Sequence, residues 1–243
     1  MERITMKITV IHGSPRKGNT FGAYEMVKAE MLRLGPVEFK EYFLPHDMPE
    51  FCLGCYTCFF KGADKCPHAA YVQPILTDLL TSDGFIFTSP IYVLSESAAM
   101  KTLLDHLAYI FIPHRPQKEM FRKKALILST TAGAGTKAAM KTIATSLKFW
   151  GVNKIYRCGV AMHALSWDDM NRKRKARMHN KLTNTAHRFY SDTAAHRKHP
   201  VTPIQRIMFY AMAKANKGTQ EKSPTLDSAY WQNNGWLNGK TPF

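Results

Sequence analysis

The chain has 243 residues, enough for one large domain or one domain with an appendage, and a composition of 45% hydrophobic and 21% charged residues supports a sizeable core and excludes disorder, collagen or coiled coil as the main architecture. The longest apolar run, Ile207–Ala213, is seven residues, against about 20 for a membrane span, and Met1–Lys7 alternates polar and apolar residues without a signal-peptide core, so the expectation is a cytoplasmic protein with no transmembrane segment. The formal charge of +16 is uneven, with 18 basic and 13 acidic side chains in residues 1–150 against 16 and 5 in residues 151–243; such a field attracts anions, but there is no Cys/His finger pair, aromatic β-platform or basic heptad region, so no specific nucleic-acid partner is expected.

Strand and helix patterns alternate through residue 158. Lys7–His12 (KITVIH) is a β-rich run followed by the loop Gly13–Thr20 (GSPRKGNT). Tyr24, Val27, Met31 and Leu34 then fall at helical spacing, and Gly35-Pro36 stops the helix. Val37–Phe43 alternates as an outer strand would, and residues 44–68 read as a cysteine-rich loop. A stripe of Val72, Ile75, Leu76, Leu79 and Leu80 predicts the next helix, Phe85–Ser89 the third strand, and Met100, Leu103, Leu104, Leu107 and Phe111 a helix ending before Pro113. Ala125–Thr130 is a fourth strand running into Thr131–Thr136; Met140, Ile143 and Leu147 mark a fourth helix, and Val152–Cys158 a fifth strand.

Five β-α repeats with short connections imply a parallel sheet covered on both faces, and right-handed crossovers suit the doubly wound order 2-1-3-4-5. A dinucleotide-binding sheet would require GxGxxG after the first strand, where this chain has GSPRKG. The expected division is a domain over residues 1–160 and a basic helical extension over 161–243, packing on the domain or on an oligomer partner. Within the extension, residues 168–195 read as a charged helix. Pro203–Lys217 reads as a second helix, with Ile204, Ile207, Met208, Ala211, Met212 and Ala215 on one face, and the polar tail carries Trp231 and Trp236.

In such a sheet, ligands bind beyond the carboxyl ends of the strands at the topological switch. The loop after strand 1 offers Ser14, Arg16, Lys17, Gly18, Asn19 and Thr20 ahead of a helix N-terminus, a natural phosphate site. The loop after strand 3 is Ser89-Pro90-Ile91-Tyr92-Val93, with a rigid turn and an aromatic edge. The loop after strand 4, with Thr131, Ala132, Gly133 and Ala134, is small enough for its backbone to approach a planar ligand. Each loop alone also reads as an ordinary turn; the three together, at the ends of strands 1, 3 and 4, make one site.

GSPRKGNT, SPIY and TTAGAG resemble the corresponding loops of the flavodoxin-like NADPH-dependent FMN reductase superfamily over roughly residues 5–160. The resemblance implies a flavodoxin-like α/β fold. It implies phosphate binding by Ser14 and Gly18–Thr20 with Arg16 nearby, and isoalloxazine contacts from Ser89, Pro90, Ile91, Tyr92 and Val93 and from Thr131, Ala132, Gly133 and Ala134. It implies FMN as cofactor, NAD(P)H as cosubstrate, and a quinone, flavin, nitro or azo compound or a redox protein as acceptor. It also implies a homodimer or homotetramer, in which Trp231 or Trp236 covers a flavin across an interface. No catalytic side chain is required for hydride transfer to the flavin. Relatives often continue K-x3-D-R after the second loop; here Lys101 and Asp105 are followed by His106, which removes whatever pairing that Arg makes.

Cys52, Cys55, Cys58 and Cys66 form C-x2-C-x2-C-x7-C followed by Pro67. The compact spacing suits a [4Fe–4S] cluster and is similar to the iron–sulfur flavoprotein branch of the same superfamily; zinc and uncoordinated thiols are the competing occupants. An iron–sulfur electron carrier that uses no nicotinamide is one alternative to the reductase, and a non-catalytic anion-binding module on the same fold is another. Cys158 reads as a small core residue and His12 as packed or solvated. His46, His68, His163, His179, His187, His196 and His199 show no metal-ligand spacing.

Overall fold

The alternating apolar runs and amphipathic stripes become strands and covering helices in a computed structural model that describes residues 5–243; Met1–Ile4, the start of the N-terminal segment read above, lie outside the described residues. In chain order the elements are β1 (Met6–His12), α1 (Asn19–Leu34), β2 (Val37–Phe43), the short α2 (Thr57–Phe60), α3 (Ala69–Thr81), β3 (Gly84–Pro90), α4 (Ala98–His106), β4 (Lys124–Thr131), α5 (Thr136–Phe149), β5 (Lys154–Ala161), α6 (Arg172–Ala194), α7 (Pro203–Lys222) and α8 (Leu226–Asn233). The strands form one sheet in the order β2-β1-β3-β4-β5, every pair parallel. The amphipathic Val37–Phe43 is an edge strand, as its alternation predicts. No described helix is long and apolar enough to cross a membrane.

Period-two alternation assigns the two faces. Phe85 and Phe87 of β3 and Ile127 of β4 point into a core filled by Val72, Ile75 and Leu79 of α3, Met100 and Leu103 of α4, and Ile143 and Leu147 of α5. Their neighbours Ile86, Leu126 and Leu128 point the other way, against Val27 and Met31 of α1 and Met178, Leu182 and Phe189 of α6. The charged helix expected at 168–195 thus begins at Arg172, capped by Asn171, and its apolar stripe completes the second face of the sheet.

A third cluster holds Ile112, Phe121, Phe209, Trp231, Trp236 and Leu237. Trp231 is fully buried and Trp236 is 4% exposed, so neither is free to cover a flavin in another subunit, contrary to the expectation above. The buried face of α7 also differs from the stripe read in the sequence. Ile204 and Ile207 are 77% and 70% exposed, whereas Gln205, Phe209 and Asn216 are buried. A capping box between Thr202 and Gln205 starts the helix, and the Gln205 amide donates inward to the carbonyls of Lys148 (2.9 Å) and Val152 (3.4 Å). One turn on, Phe209 follows it into the aromatic cluster.

Beneath the end of β1, His12 is buried between Thr88 and Glu41. A carboxylate only accepts, so His12 Nε2–H donates to Glu41 (3.1 Å) and Nδ1 accepts from the Thr88 hydroxyl (3.1 Å). Glu41 also accepts from Tyr24 (2.8 Å) and Lys28 (2.6 Å). Burial holds His12 below the ordinary imidazole value against the pull of Glu41; burial opposes the Glu41 carboxylate, but Lys28, Tyr24 and His12 outweigh it and hold it below its usual range.

Two expectations follow. Phe189→Ala, which empties a fully buried ring site between α6 and the sheet, lowers the stability of the whole domain by about 3–5 kcal/mol, read as one shifted transition in chemical denaturation; a denaturation midpoint unchanged from wild type contradicts the placement of α6 in the core. Because folded His12 is depressed relative to 6.5, its stabilising contribution is complete above that pH and is lost as pH falls through the folded value. Denaturation midpoints from about pH 7 to about pH 5 fall less steeply in His12→Gln than in wild type, and equal slopes contradict it.

Candidate functional site

The loop leaving β1 turns sharply at Gly13, whose amide donates to the Thr88 carbonyl (2.7 Å) and whose carbonyl accepts from Ser97 Oγ (2.5 Å). Pro15 to Gly18 are exposed. Ser14 Oγ accepts from the Arg16 amide at 3.2 Å. Gly18 caps α1 with no side-chain hydrogen bond, and no acidic residue occupies the first turn. The first amides of a helix have no intrahelical acceptor, and here they carry the positive end of the helix dipole toward the loop. The side chains next to them are engaged elsewhere: the Asn19 amide donates to the Leu165 carbonyl (2.7 Å), and Thr20 Oγ1 is buried against Thr130 Oγ1 (2.6 Å). The donors left for an anion are the main-chain N–H groups and the Ser14 hydroxyl, which accepts but donates to no protein group among the described residues, with Arg16 and Lys17 supplying charge; Lys17 Nζ lies over the Phe21 and Phe43 rings.

The loop after β3 is held at its base and strained at its tip. Ser89 is buried; its hydroxyl accepts from the Ser97 amide (3.0 Å) and its carbonyl accepts from Ser129 Oγ (2.7 Å). Beyond Pro90 and Ile91, Tyr92 and Ser95 close a tight bridge, with Val93 at φ 49° and Leu94 at φ 62°. Positive φ in a β-branched residue is a conformational outlier costing about 1–3 kcal/mol, and Val93 is 99% exposed.

The loop after β4 closes on itself, Thr131 Oγ1 donating to the Ala134 carbonyl (2.8 Å) and accepting from the Gly133 amide (3.3 Å). Gly135, at φ +103°, is required: a Cβ there would lie 2.9 Å from Ile91 Cγ2, so the second and third loops touch through this glycine. At Gly18 and Gly133 a Cβ would meet nothing within 4 Å, so no protein packing requires these glycines and both leave bare backbone open to a ligand. The three loops are thus joined at the ends of β1, β3 and β4, by Ser97 between the first and second and by Gly135 between the second and third.

Two participants escape sequence reasoning. Ser97 ties the first two loops and caps α4; its position just before a helical stripe was the signal. Trp167 donates from Nε1 to the Asn19 carbonyl (3.0 Å), making the loop after β5 a brace for the loop after β1, and nothing local in the sequence announces that.

The cysteine loop leaves β2 and runs out to the far end of α4. All four of Cys52, Cys55, Cys58 and Cys66 line a cavity of about 360 Å³ together with His68, Asp105 and His106, and none of them is in a disulfide. Gly54, at φ +61°, turns the backbone between Cys52 and Cys55. Burial first, then the charges of Cys66 and Cys52, push the Cys58 thiol up; hydrogen bonding from Thr57 holds Cys55 down. His68 and His106, 38 residues apart, meet at 2.9 Å. His106 Nδ1–H donates to the Thr102 carbonyl (2.8 Å), so its Nε2 accepts from His68 Nδ1–H, and burial keeps His106 below the ordinary imidazole value. A ligand atom from each of His68, His106 and Cys66 lies within 4.8 Å of the other two, a grouping that the linear spacing of histidines does not reveal. Asp105 pairs with Lys101. The loops after β1 and β3 grip α4 at its capping Ser97 and the thiol cavity meets it at Asp105 and His106; nine residues at 1.5 Å each separate them by about 13 Å along the helix axis.

An iron–sulfur flavoprotein of Clostridioides difficile is 34% identical over 137 residues, covering 55% of this chain and 58% of that protein. One of Archaeoglobus fulgidus is 29% identical over 150 residues, covering 60% and 64%. The chain therefore spans less than two thirds of the length of these curated relatives. Among solved structures, an FMN-dependent NADH-azoreductase of Bacillus anthracis in complex with FMN superposes with a TM-score of 0.61 at 11% identity, covering 76% of this chain and 99% of that one, a likeness of fold. The pattern of the NADPH-dependent FMN reductase family matches residues 6–163, well over half of the chain, and to that family the chain belongs.

Proposed function

We propose that the protein is an FMN-dependent oxidoreductase that draws reducing equivalents from NAD(P)H and holds an iron–sulfur cluster in its cysteine loop. The observation that carries the first part is the joined set of loops at the ends of β1, β3 and β4, with an uncapped helix start and two glycines facing open space. The residues fit a phosphorylated planar ring: the amides at Gly18–Thr20 and the charges of Arg16 and Lys17 suit its phosphate, and Pro90–Val93 and Thr131–Ala134 suit its ring. When bound, FMN supplies a ring that accepts a hydride and returns one or two electrons. The chain's part is to orient that ring through main-chain donors and to leave one side open, where the exposed Tyr92, Val93 and Leu94 form an apolar rim for nicotinamide, an acceptor or a second copy of the chain.

Four thiols around one cavity support the second part, as does the likeness to iron–sulfur flavoproteins. Cys52, Cys55, Cys58 and Cys66 would hold a [4Fe–4S] core, which supplies one-electron transfer. The same observations favour the second reading, an electron carrier that uses no nicotinamide, and the soft S/N donor set with His68 and His106 admits zinc.

One preparation separates these readings. Protein produced and purified anaerobically is expected to release FMN on boiling, to contain about four irons and matching sulfide per chain, and to show flavin bleaching on rapid mixing with NADPH or NADH. Bleaching by neither nicotinamide transfers the assignment to the carrier; zinc in place of iron and sulfide overturns the cluster. Cys66→Ser is expected to lose most of the iron and keep the flavin, because the two centres occupy opposite ends of α4.

A further inference from the structure

The cavity that collects the cysteines is backed by a buried cation. Arg115 is 9% exposed. Its guanidinium donates to the Cys58 carbonyl and lies over the Tyr109 ring. Behind it stands Asp227, in the first turn of α8. Asp227 Oδ2 accepts from His114 Nδ1 (2.8 Å), and Oδ1 lies 3.4 Å from Arg115 Nε with no hydrogen-bond partner of its own. A bracing Arg–carboxylate pair takes the bidentate geometry. Here the guanidinium is divided instead: it bonds the cysteine loop and leaves one buried oxygen of Asp227 paired by charge alone. The helix that brings Asp227 is locked to the same segment, Trp231 Nε1 donating to the His114 carbonyl (2.5 Å) and Tyr230 to the Pro116 carbonyl (2.8 Å), while Phe59 of the cysteine loop packs edge-on against His114.

We propose that Arg115 and Asp227 form an electrostatic couple that sets the reduction potential of the thiolate-held centre, Arg115 favouring its reduced state and Asp227, delivered by the C-terminal helix α8, restraining that effect. This rests on the cluster reading above. Each one-electron reduction adds a negative charge to a cage already made of thiolates, and a buried cation behind Cys58 stabilises the more negative state, since such interactions weigh more where water is excluded. Asp227 partly cancels that cation. The remaining carboxylate at the cavity, Asp105, is paired with Lys101 on the surface of α4. Arg115 and Asp227 are positioning residues here; neither is a ligand.

The test is a mediator titration followed by EPR on anaerobically prepared full-length protein, with iron and sulfide measured in the same samples. Arg115→Gln is expected to lower the cluster potential by about tenfold in the reduction equilibrium, about 60 mV for a one-electron couple, and Asp227→Asn to raise it by a similar amount. A purely structural role moves both variants the same way, so shifts of equal sign, or potentials unchanged from wild type, overturn the assignment. Arg115→Lys keeps the charge: where Arg115→Gln fails to load iron, Arg115→Lys is expected to load it and to stay near the wild-type potential, and failure of both to load overturns the charge assignment. A wild-type chain without iron and sulfide overturns the cluster reading and takes this inference with it, whereas loaded variants without opposite shifts overturn the inference alone.

Discussion

A sheet whose strands all run one way has a single edge where every strand stops and its following helix begins, and there the first amides of each helix are left without acceptors. The start of α1 meets this condition with nothing to relieve it: Gly18 provides no capping side chain, and no carboxylate enters the first turn. Hydrogen bonds to charged groups contribute about 1.5–3 kcal/mol each, so a few such amides converging on a phosphate outweigh any single side chain in the loops. The rest of the edge follows from keeping that row of donors open. Ser97 and Trp167 pin the first loop, and the side chains of Asn19 and Thr20 are taken up by the Leu165 carbonyl and by Thr130 at the end of β4.

The helix α4 organises the molecule along a second axis. Its cap holds the loops after β1 and β3 and its final turn lines the cysteine cavity, so one short helix spaces these two candidate sites. The segment after α4 then carries Tyr109, His114 and Arg115 under the cysteine loop, and α8 fastens that segment from the far end of the chain. The C-terminal third thus divides by role. One part, α6, completes the sheet's second face; the other, α7 and α8, builds a small aromatic cluster whose outward result is to place Asp227 behind Arg115.

Features that rest on short-range periodicity or on strand polarity were legible in the sequence. Phe85–Ser89 and Ala125–Thr130 read as strands, Val37–Phe43 alternates as an outer strand does, and a parallel sheet dictated where the loops after β1, β3 and β4 must meet. The less legible features depend on contacts distant in sequence. The face of α7 turned on the polar residue Gln205, drawn inward by two carbonyls, which an apolar stripe of Ile204 and Ile207 conceals. The helix α8 hides in a tail rich in Asn and Gly because its stability comes from Trp231 and a capping Thr225, not from propensity. His68 and His106 are brought together by tertiary structure alone, and Arg115 sits among prolines with no local pattern to distinguish it. The four cysteines were conspicuous from their spacing; that they share one cavity, and what stands behind it, required the fold.

The most direct measurement compares FMN and riboflavin binding to flavin-free protein by fluorescence quenching. If main-chain amides at the start of α1 grip a phosphate, FMN binds one per chain and at least about a hundredfold more tightly than riboflavin, the equivalent of about 2.7 kcal/mol from two charge-assisted hydrogen bonds. Equal affinities for the two flavins, or binding of neither, would contradict the account.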